Sequence, residues 1–330
     1  MLFSKDNITL EFKKLAFQWH PDKNKDPEAT NVFAHINKLY KQGLERIKNN
    51  CWDIPFFESI KDIDGKRYNI KYRYQFTFEL GRCLVCDTNV VYLIDKSYKK
   101  FFNNFVNVVS NFSYPSDRVR DEISRFLPSI KVKLETDDNY IIIIPKSSDV
   151  IPLRVMYEYF DNKIDPKHVA WILGCLYNLS CWFEVSGITH NDINLDTCFV
   201  SPEHHSILIY GGWWYSVPVG QKMIGTSAGS FDLMSDKQRS EKIGNKLFDR
   251  RLINAVGLEL LGDITGSSLL MNKNIPSKFT NWLIFPDKCG NINYYKKWMD
   301  TVVDIFGERR FIKIDETVEM MYDKINDRSN

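Results

Sequence analysis

The segment Phe12-Lys-Lys-Leu-Ala-Phe-Gln-Trp-His-Pro-Asp-Lys-Asn24 reads as a short amphipathic helix running into a rigid turn. Ile8, Phe12, Leu15 and Trp19 recur at helical spacing and supply one apolar face, while Lys13, Lys14 and Gln18 fall on the other. Pro21 cannot continue the helix and biases His20 toward extended backbone. Asp26 is suited to cap a second helix, with Pro27 at its first position. Ala29, Phe33, Ile36 and Tyr40 are spaced to pack back on the first helix. The pattern predicts an antiparallel helical hairpin that displays His20, Pro21 and Asp22 at its tip.

Residues 1–48 resemble the J-domain of DnaJ-type co-chaperones, which stimulate ATP hydrolysis by DnaK-type chaperones. The resemblance rests on the His-Pro-Asp tripeptide, the basic amphipathic helix before it and the Asn-containing helix after it. It implies that His20, Pro21 and Asp22, with Lys13 and Lys14, touch the chaperone ATPase. The first helix of that family is nearly absent, since only Met1-Leu-Phe-Ser4 precedes the second. Leu10, Leu39 and Leu44 would then face water unless something covers them. Residues 49–65 read as a charged connector whose Trp52–Phe57 aromatics are suited to serve as that lid, with a strand Ile70–Leu80 behind them.

Composition bounds the remainder. A chain of 330 residues accommodates one small module and one larger domain with a substantial core. A formal charge of +2 argues against a nucleic-acid binder driven by bulk electrostatics. No apolar run reads as long enough to span a bilayer, and no signal-peptide pattern opens the sequence. Seven cysteines without framework spacing suggest a reducing compartment. Cys83 and Cys86 form a lone Cys-x-x-Cys and read as core cysteines, because no second pair completes a zinc site.

Ile70, Tyr72, Tyr74, Phe76, Phe78 and Leu80 alternate with polar residues, which predicts one half-buried strand ending at Gly81. Strands around Cys83–Cys86, Val90–Asp95 and Tyr140–Ile144 and a helix near Arg118–Phe126 follow. Asp165 and Pro166 start a helix that ends near Gly187, and a strand Ile207–Ile209 comes next. Ile253–Leu261, Asn281–Leu283 and Tyr294–Phe306 read as later helices. The fold class is α+β: a small helical hairpin followed by a two-lobed domain.

Ile188-Thr-His-Asn-Asp-Ile-Asn-Leu-Asp-Thr-Cys-Phe-Val200 resembles the catalytic loop of protein kinases. The resemblance implies a kinase-like domain over residues 66–330, with a small lobe at about 66–150 and a large lobe at about 151–330. Asp192 stands at the position of the catalytic base. Thr197 replaces the metal-binding asparagine, and Tyr210-Gly211-Gly212 replaces Asp-Phe-Gly. A phenol is a poor ligand for a hard divalent cation. Gly81 alone remains of the Gly-rich phosphate loop and is followed by bulky Leu84 and Val85. Lys96 and Glu122 are the candidates for the nucleotide-site ion pair, should a nucleotide bind. The expectation is a pseudokinase without metal or cofactor.

His204 and His205 are candidate metal ligands but read by default as part of a solvated loop; Trp213-Trp214-Tyr215 is either core or a partner surface, with core favoured. The combination resembles DnaJ-like proteins of tailed bacteriophages, which implies the cytoplasm of an infected bacterium. Expected partners are a DnaK-type chaperone and an unidentified client, with no membrane and no specific nucleic acid. The alternatives are an unusual phosphotransferase targeted by its J-domain and a pure interaction scaffold.

Overall fold

The structure is a computed structural model that describes residues 2–48, 52, 56–308 and 312–328. It divides into two compact units, one ending at Tyr72 and the other beginning at Arg73. Residues of the expected connector therefore belong with the first unit. Asp53, Ile54 and Pro55 of the expected lid lie outside the described residues.

In the first unit, α1 (Ile8–Trp19) and α2 (Ala29–Lys48) form the expected hairpin. Phe3, Ile8, Ile36 and Trp52 make its buried core, with Phe12, Leu15, Trp19, Leu39 and Tyr40 packed against it. The Phe12 and Tyr40 rings stack at 3.9 Å. Phe3 meets Tyr40 edge-on, so even a few residues before α1 contribute cover. Trp52 supplies the rest: α1, α2 and Trp52 close on Gly43, where a Cβ would lie 2.4 Å from Ile8 Cδ1 and 3.2 Å from the Trp52 ring. Leu10 and Leu44 nonetheless remain exposed at 54% and 40%; the lid covers the seam between the helices rather than these positions.

The expected strand Ile70–Leu80 is two strands. β1 (Phe57–Lys61) and β2 (Arg67–Lys71) form an antiparallel hairpin closed by the Asp62-Ile-Asp-Gly65 turn. Lys66 N–H bonds to Asp62 Oδ1 at 2.8 Å there. β3 (Tyr74–Phe78) instead pairs with β4 (Gly81–Val85). Tyr72 N–H bonds back to Phe56 and Arg73 N–H to Val85, so the chain changes partner between these two residues. The period-2 alternation continues across the junction and hides it.

The second unit opens with an antiparallel sheet in the order β3-β4-β5-β7-β6, using β5 (Asn89–Asp95), β6 (Val132–Glu135) and β7 (Asn139–Pro145). Val90, Val91, Tyr92, Leu93 and Ile94 are all buried, as a central strand covered on both faces requires. Between β5 and β6 run α3 (Lys99–Ser110) and α4 (Asp117–Ile123). Gly81 is needed for chain packing: a Cβ there would lie 2.0 Å from the Leu93 carbonyl oxygen.

The remainder is mostly helical. β8 (Ile151–Pro152) leads into α5 (Leu153–Tyr159), then α6 (Pro166–Ser186). The Asp165 carboxylate accepts from Lys167 N–H at the start of α6, and Gly187 ends it in the left-handed conformation at φ 69°, both as read from sequence. β9 (Ile188–Thr189), β10 (Cys198–Ser201), β11 (Ser206–Ile209) and β12 (Val217–Pro218) are short. They form a β11-β10-β8 sheet and a β12-β9 pair. α7 (Ala228–Asp232), α8 (Asp236–Glu241), α9 (Lys246–Leu260), α10 (Ser277–Ile284), α11 (Asn291–Phe306) and α12 (Val318–Arg328) complete the unit.

α6 is, by length and composition alone, apolar enough to cross a membrane, which corrects the expectation that no run is long enough. Its apolar side chains, including Leu173, Leu176 and Phe183, are buried within the unit, where it packs against α9 and α11. The six described cysteines are free, with Cys83 in the core and Cys86 at the β4–β5 turn.

Candidate functional site

α1 ends because His20 turns to extended backbone at φ −62°, ψ 126°, which the following proline enforces. The His20 carbonyl accepts from Lys23 N–H and Asn24 N–H, both at 2.9 Å. Asp22 N–H reaches back to His20 Nδ1 at 3.2 Å, and the Asp22 carboxylate lies 3.7 Å from the same nitrogen. The His20 ring rests edge-on against Phe33 of α2 at 5.1 Å. The tip is thus held by short local bonds while Pro21 and Asp22 stay in solvent.

Asn24 is a positioning residue that the sequence reading did not single out. Its Nδ2 donates to the Gln18 carbonyl at the end of α1, and its Oδ1 accepts from Asp26 N–H. The signal was an asparagine two residues beyond the aspartate, a residue type that bonds its own neighbouring backbone. Asp26 caps as expected through Glu28 N–H at 2.9 Å, although regular helix begins only at Ala29. Lys13 and Lys14 are exposed on α1. The structure therefore joins tripeptide and lysines on one hairpin: a carboxylate at the tip and two ammonium groups on the helix leading to it.

The second unit has a cavity of about 350 Å³ lined by Asp192, Asn194, Thr197, Gly211 and Trp214 among others. Two buried groups hold the loop that presents Asp192. His190 donates from Nε2 to the Gly211 carbonyl at 3.0 Å and accepts Asp192 N–H on Nδ1 at 3.3 Å. Burial lowers its pKa to about 3, so the ring is neutral. Asp249 of α9 accepts His190 N–H at 2.8 Å and Asn191 N–H at 2.7 Å. Burial raises its pKa to about 7, opposed by these two backbone bonds. The sequence reading missed Asp249; its signal is an acidic residue beside Phe248 in the first turn of α9.

Asp192 Oδ1 accepts from Ser227 Oγ at 2.5 Å, Ser230 Oγ at 2.9 Å and Asn194 Nδ2 at 3.1 Å. Burial still raises its pKa to about 7. Thr197 turns its hydroxyl inward, donating to the Asp192 carbonyl at 2.8 Å. Tyr210 is buried beside Phe199 and its phenol is pushed up to about 12 by burial. Gly211, not Tyr210, lines the cavity. Trp213, Trp214 and Tyr215 are buried, and Asn104 of α3 bonds the Trp214 and Ser216 carbonyls at 3.1 and 2.9 Å.

Lys96 and Glu122 do not pair with each other. Lys96 Nζ lies 2.9 Å from Glu135 Oε1 on β6, and Glu122 pairs with Arg118 one helical turn away. Lys96 sits past the end of β5, where the β6–β7 hairpin offers the nearer carboxylate. His204 is exposed, as expected, and bonds Asp149 at 3.1 Å, whereas His205 is half-buried and stacks on Trp171 at 4.8 Å instead of standing in solvent. With Glu203 these residues place three ligand atoms within 4.8 Å of one another. His204 Nδ1 and Asp149 Oδ2 are already satisfied by each other and by the Ser201 hydroxyl.

A DnaJ domain profile matches residues 2–42. The chain is 30% identical over 115 residues to DnaJ homolog subfamily C member 16 of Rattus norvegicus, covering 32% of this chain and 14% of that protein. It is 53% identical over 50 residues to the Homo sapiens protein of the same name, covering 15% and 6%. It is 63% identical over 34 residues to DnaJ homolog subfamily C member 10 of Xenopus laevis, covering 10% and 4%. The chain thus spans 14% or less of the length of these relatives. The helical hairpin, its His-Pro-Asp tip and these matches agree: residues 2–42 are a DnaJ domain.

Proposed function

We propose that the protein is a J-domain co-chaperone that engages a DnaK-type ATPase through His20, Pro21 and Asp22, with Lys13 and Lys14 steering the encounter. The observation that carries this reading is a fixed tip whose carboxylate is left in solvent. Asp22 is 84% exposed while His20 is held against Phe33, so the charge is presented at no reorganisation cost. Asp22→Asn keeps the side-chain size and removes the charge. It is expected to abolish stimulation of a DnaK-type chaperone in a single-turnover ATPase assay; unchanged stimulation would remove the J-domain mechanism. Lys13→Glu is expected to slow association, chiefly at low salt.

In the same proposal, residues 73–330 form a kinase-like, catalytically impaired body that binds a client or partner. A five-stranded antiparallel sheet followed by helices, and an Asp192 loop anchored on Asp249, support the kinase-like part. The inward-turned Thr197 and the absence of Tyr210 from the cavity wall support the impairment. A bacteriophage affiliation and a cytoplasmic site of action belong to this proposal.

A further inference from the structure

The cavity of the second unit has an unusual charge balance. Its charged lining is Glu79, Asp192, Asp196 and Glu259 against Arg154 alone. Arg154 is already shared by Asp196 at 3.0 Å and Glu259 at 2.7 Å. Asp192, only 3% exposed, has neutral hydrogen-bond partners, and Glu79 adds like-charge repulsion. A buried carboxylate is ordinarily matched by a cation, and none is supplied to Asp192 here.

Aromatic rings make up much of the remaining wall. Phe78 stacks on Trp214 at 4.8 Å, and Tyr92 meets Trp214 edge-on at 5.1 Å. Trp214 is 3% exposed, yet among the described residues its indole N–H has no hydrogen-bond partner. Among the described residues the buried Tyr92 hydroxyl has no hydrogen-bond partner stronger than the Cys83 sulfur, a weak one. Carboxylates set among aromatic faces are the surroundings that favour an organic cation. A metal ion fits less well. Among the described residues, the cavity holds no trio of His, Cys, Asp or Glu ligand atoms within 4.8 Å of one another. A triphosphate would meet four carboxylates.

We propose that this cavity binds a primary ammonium group, that of a lysine side chain in an extended peptide. The ammonium sits between Asp192 and Glu79, and a peptide carbonyl accepts the Trp214 indole N–H. A free polyamine presents the same ammonium but no carbonyl, so Trp214 favours the peptide. About 350 Å³ accommodates one such side chain with its adjoining peptide unit. The site is independent of the DnaJ domain and of its partner.

Calorimetric titration of the full chain tests the site. The probes are N-acetyl-Gly-Lys-Gly amide, its norleucine counterpart and spermidine. The lysine peptide is expected to bind one to one, and the uncharged norleucine peptide at least about tenfold more weakly. Glu79→Gln changes an exposed position and keeps the acceptor for Ala228 N–H; it is expected to weaken the lysine peptide about tenfold. Tighter spermidine than peptide binding, lost in the same variant, would keep the ammonium site and overturn the peptide as its source. Absence of binding by both amines, or equal binding of the lysine and norleucine peptides, would overturn the site itself.

Discussion

Single residues decide most of the chemistry, and Asp192 is the clearest case. Its three hydrogen bonds all converge on Oδ1, so an amide oxygen can accept them equally well. Asp192→Asn therefore removes a buried charge without removing a bond. Asp192 and Asp249 both hold their protons up to about pH 7 in the native chain because of burial. From the unfolded range near pH 4 up to about 7, the folded state binds more protons than the unfolded one. The stability these groups contribute is present below that window and is lost as pH rises through it. Asp192→Asn is expected to be more stable than wild type at pH 8 by on the order of 1–3 kcal/mol. The gain should shrink toward pH 4, as read by chemical denaturation at the two pH values. Such a residue is only half legible beforehand: its place in the loop can be read, but its hydroxyl partners lie 35 and 38 positions away. Glu122 shows the converse, since a nearby arginine satisfies it before any distant lysine can.

At the scale of elements, the hairpin was legible because its information is local. Ile8, Phe12, Leu15 and Trp19 mark one face, Pro21 stops the helix, and Asp26 restarts the chain. Asp165, Pro166 and Gly187 bound α6 for the same reason. The junction at Tyr72–Arg73 was not legible, because both strands obey one alternation and only their pairing partners differ. Trp52 lies between these cases: its aromatic character announced a buried role, and the structure places it in the seam at Gly43. Trp52→Ala is expected to cost the first unit about 3 kcal/mol. Hydrogen exchange of α1 amides should report it, and unchanged protection would mean that the seam needs no lid. A fragment of residues 1–50, which ends before this side chain, is expected to show little helix by circular dichroism. One of residues 1–72 should gain it.

For the whole molecule, the charge balance of the cavity sets what the second unit can accept. Four carboxylates against one guanidinium, with no metal-gathering trio among them, oppose a magnesium–nucleotide complex. No measurable ATP–magnesium binding is expected by calorimetry with wild type. Micromolar binding that Asp192→Ala abolishes would restore the phosphotransferase alternative. The mixed helix-and-sheet class and the helices α6, α9, α10 and α11 were legible from apolar periodicity, whereas α3 and α12 were not read. The anchoring of the Asp192 loop was not, because Asp249 acts on the backbone of His190 and Asn191 from 58 to 59 positions away.

The position of α6 has a consequence for synthesis. Its covering helix α11 ends at Phe306, whereas α6 itself ends at Ser186. At roughly 5–20 residues per second, a ribosome takes on the order of ten seconds to bridge that gap. For that interval α6 lacks one of the two helices it packs against, and part of its apolar surface stays open to capture by membranes or holdases. A protein that opens with a DnaJ domain thus carries, during its own translation, a helix of the kind that chaperones bind.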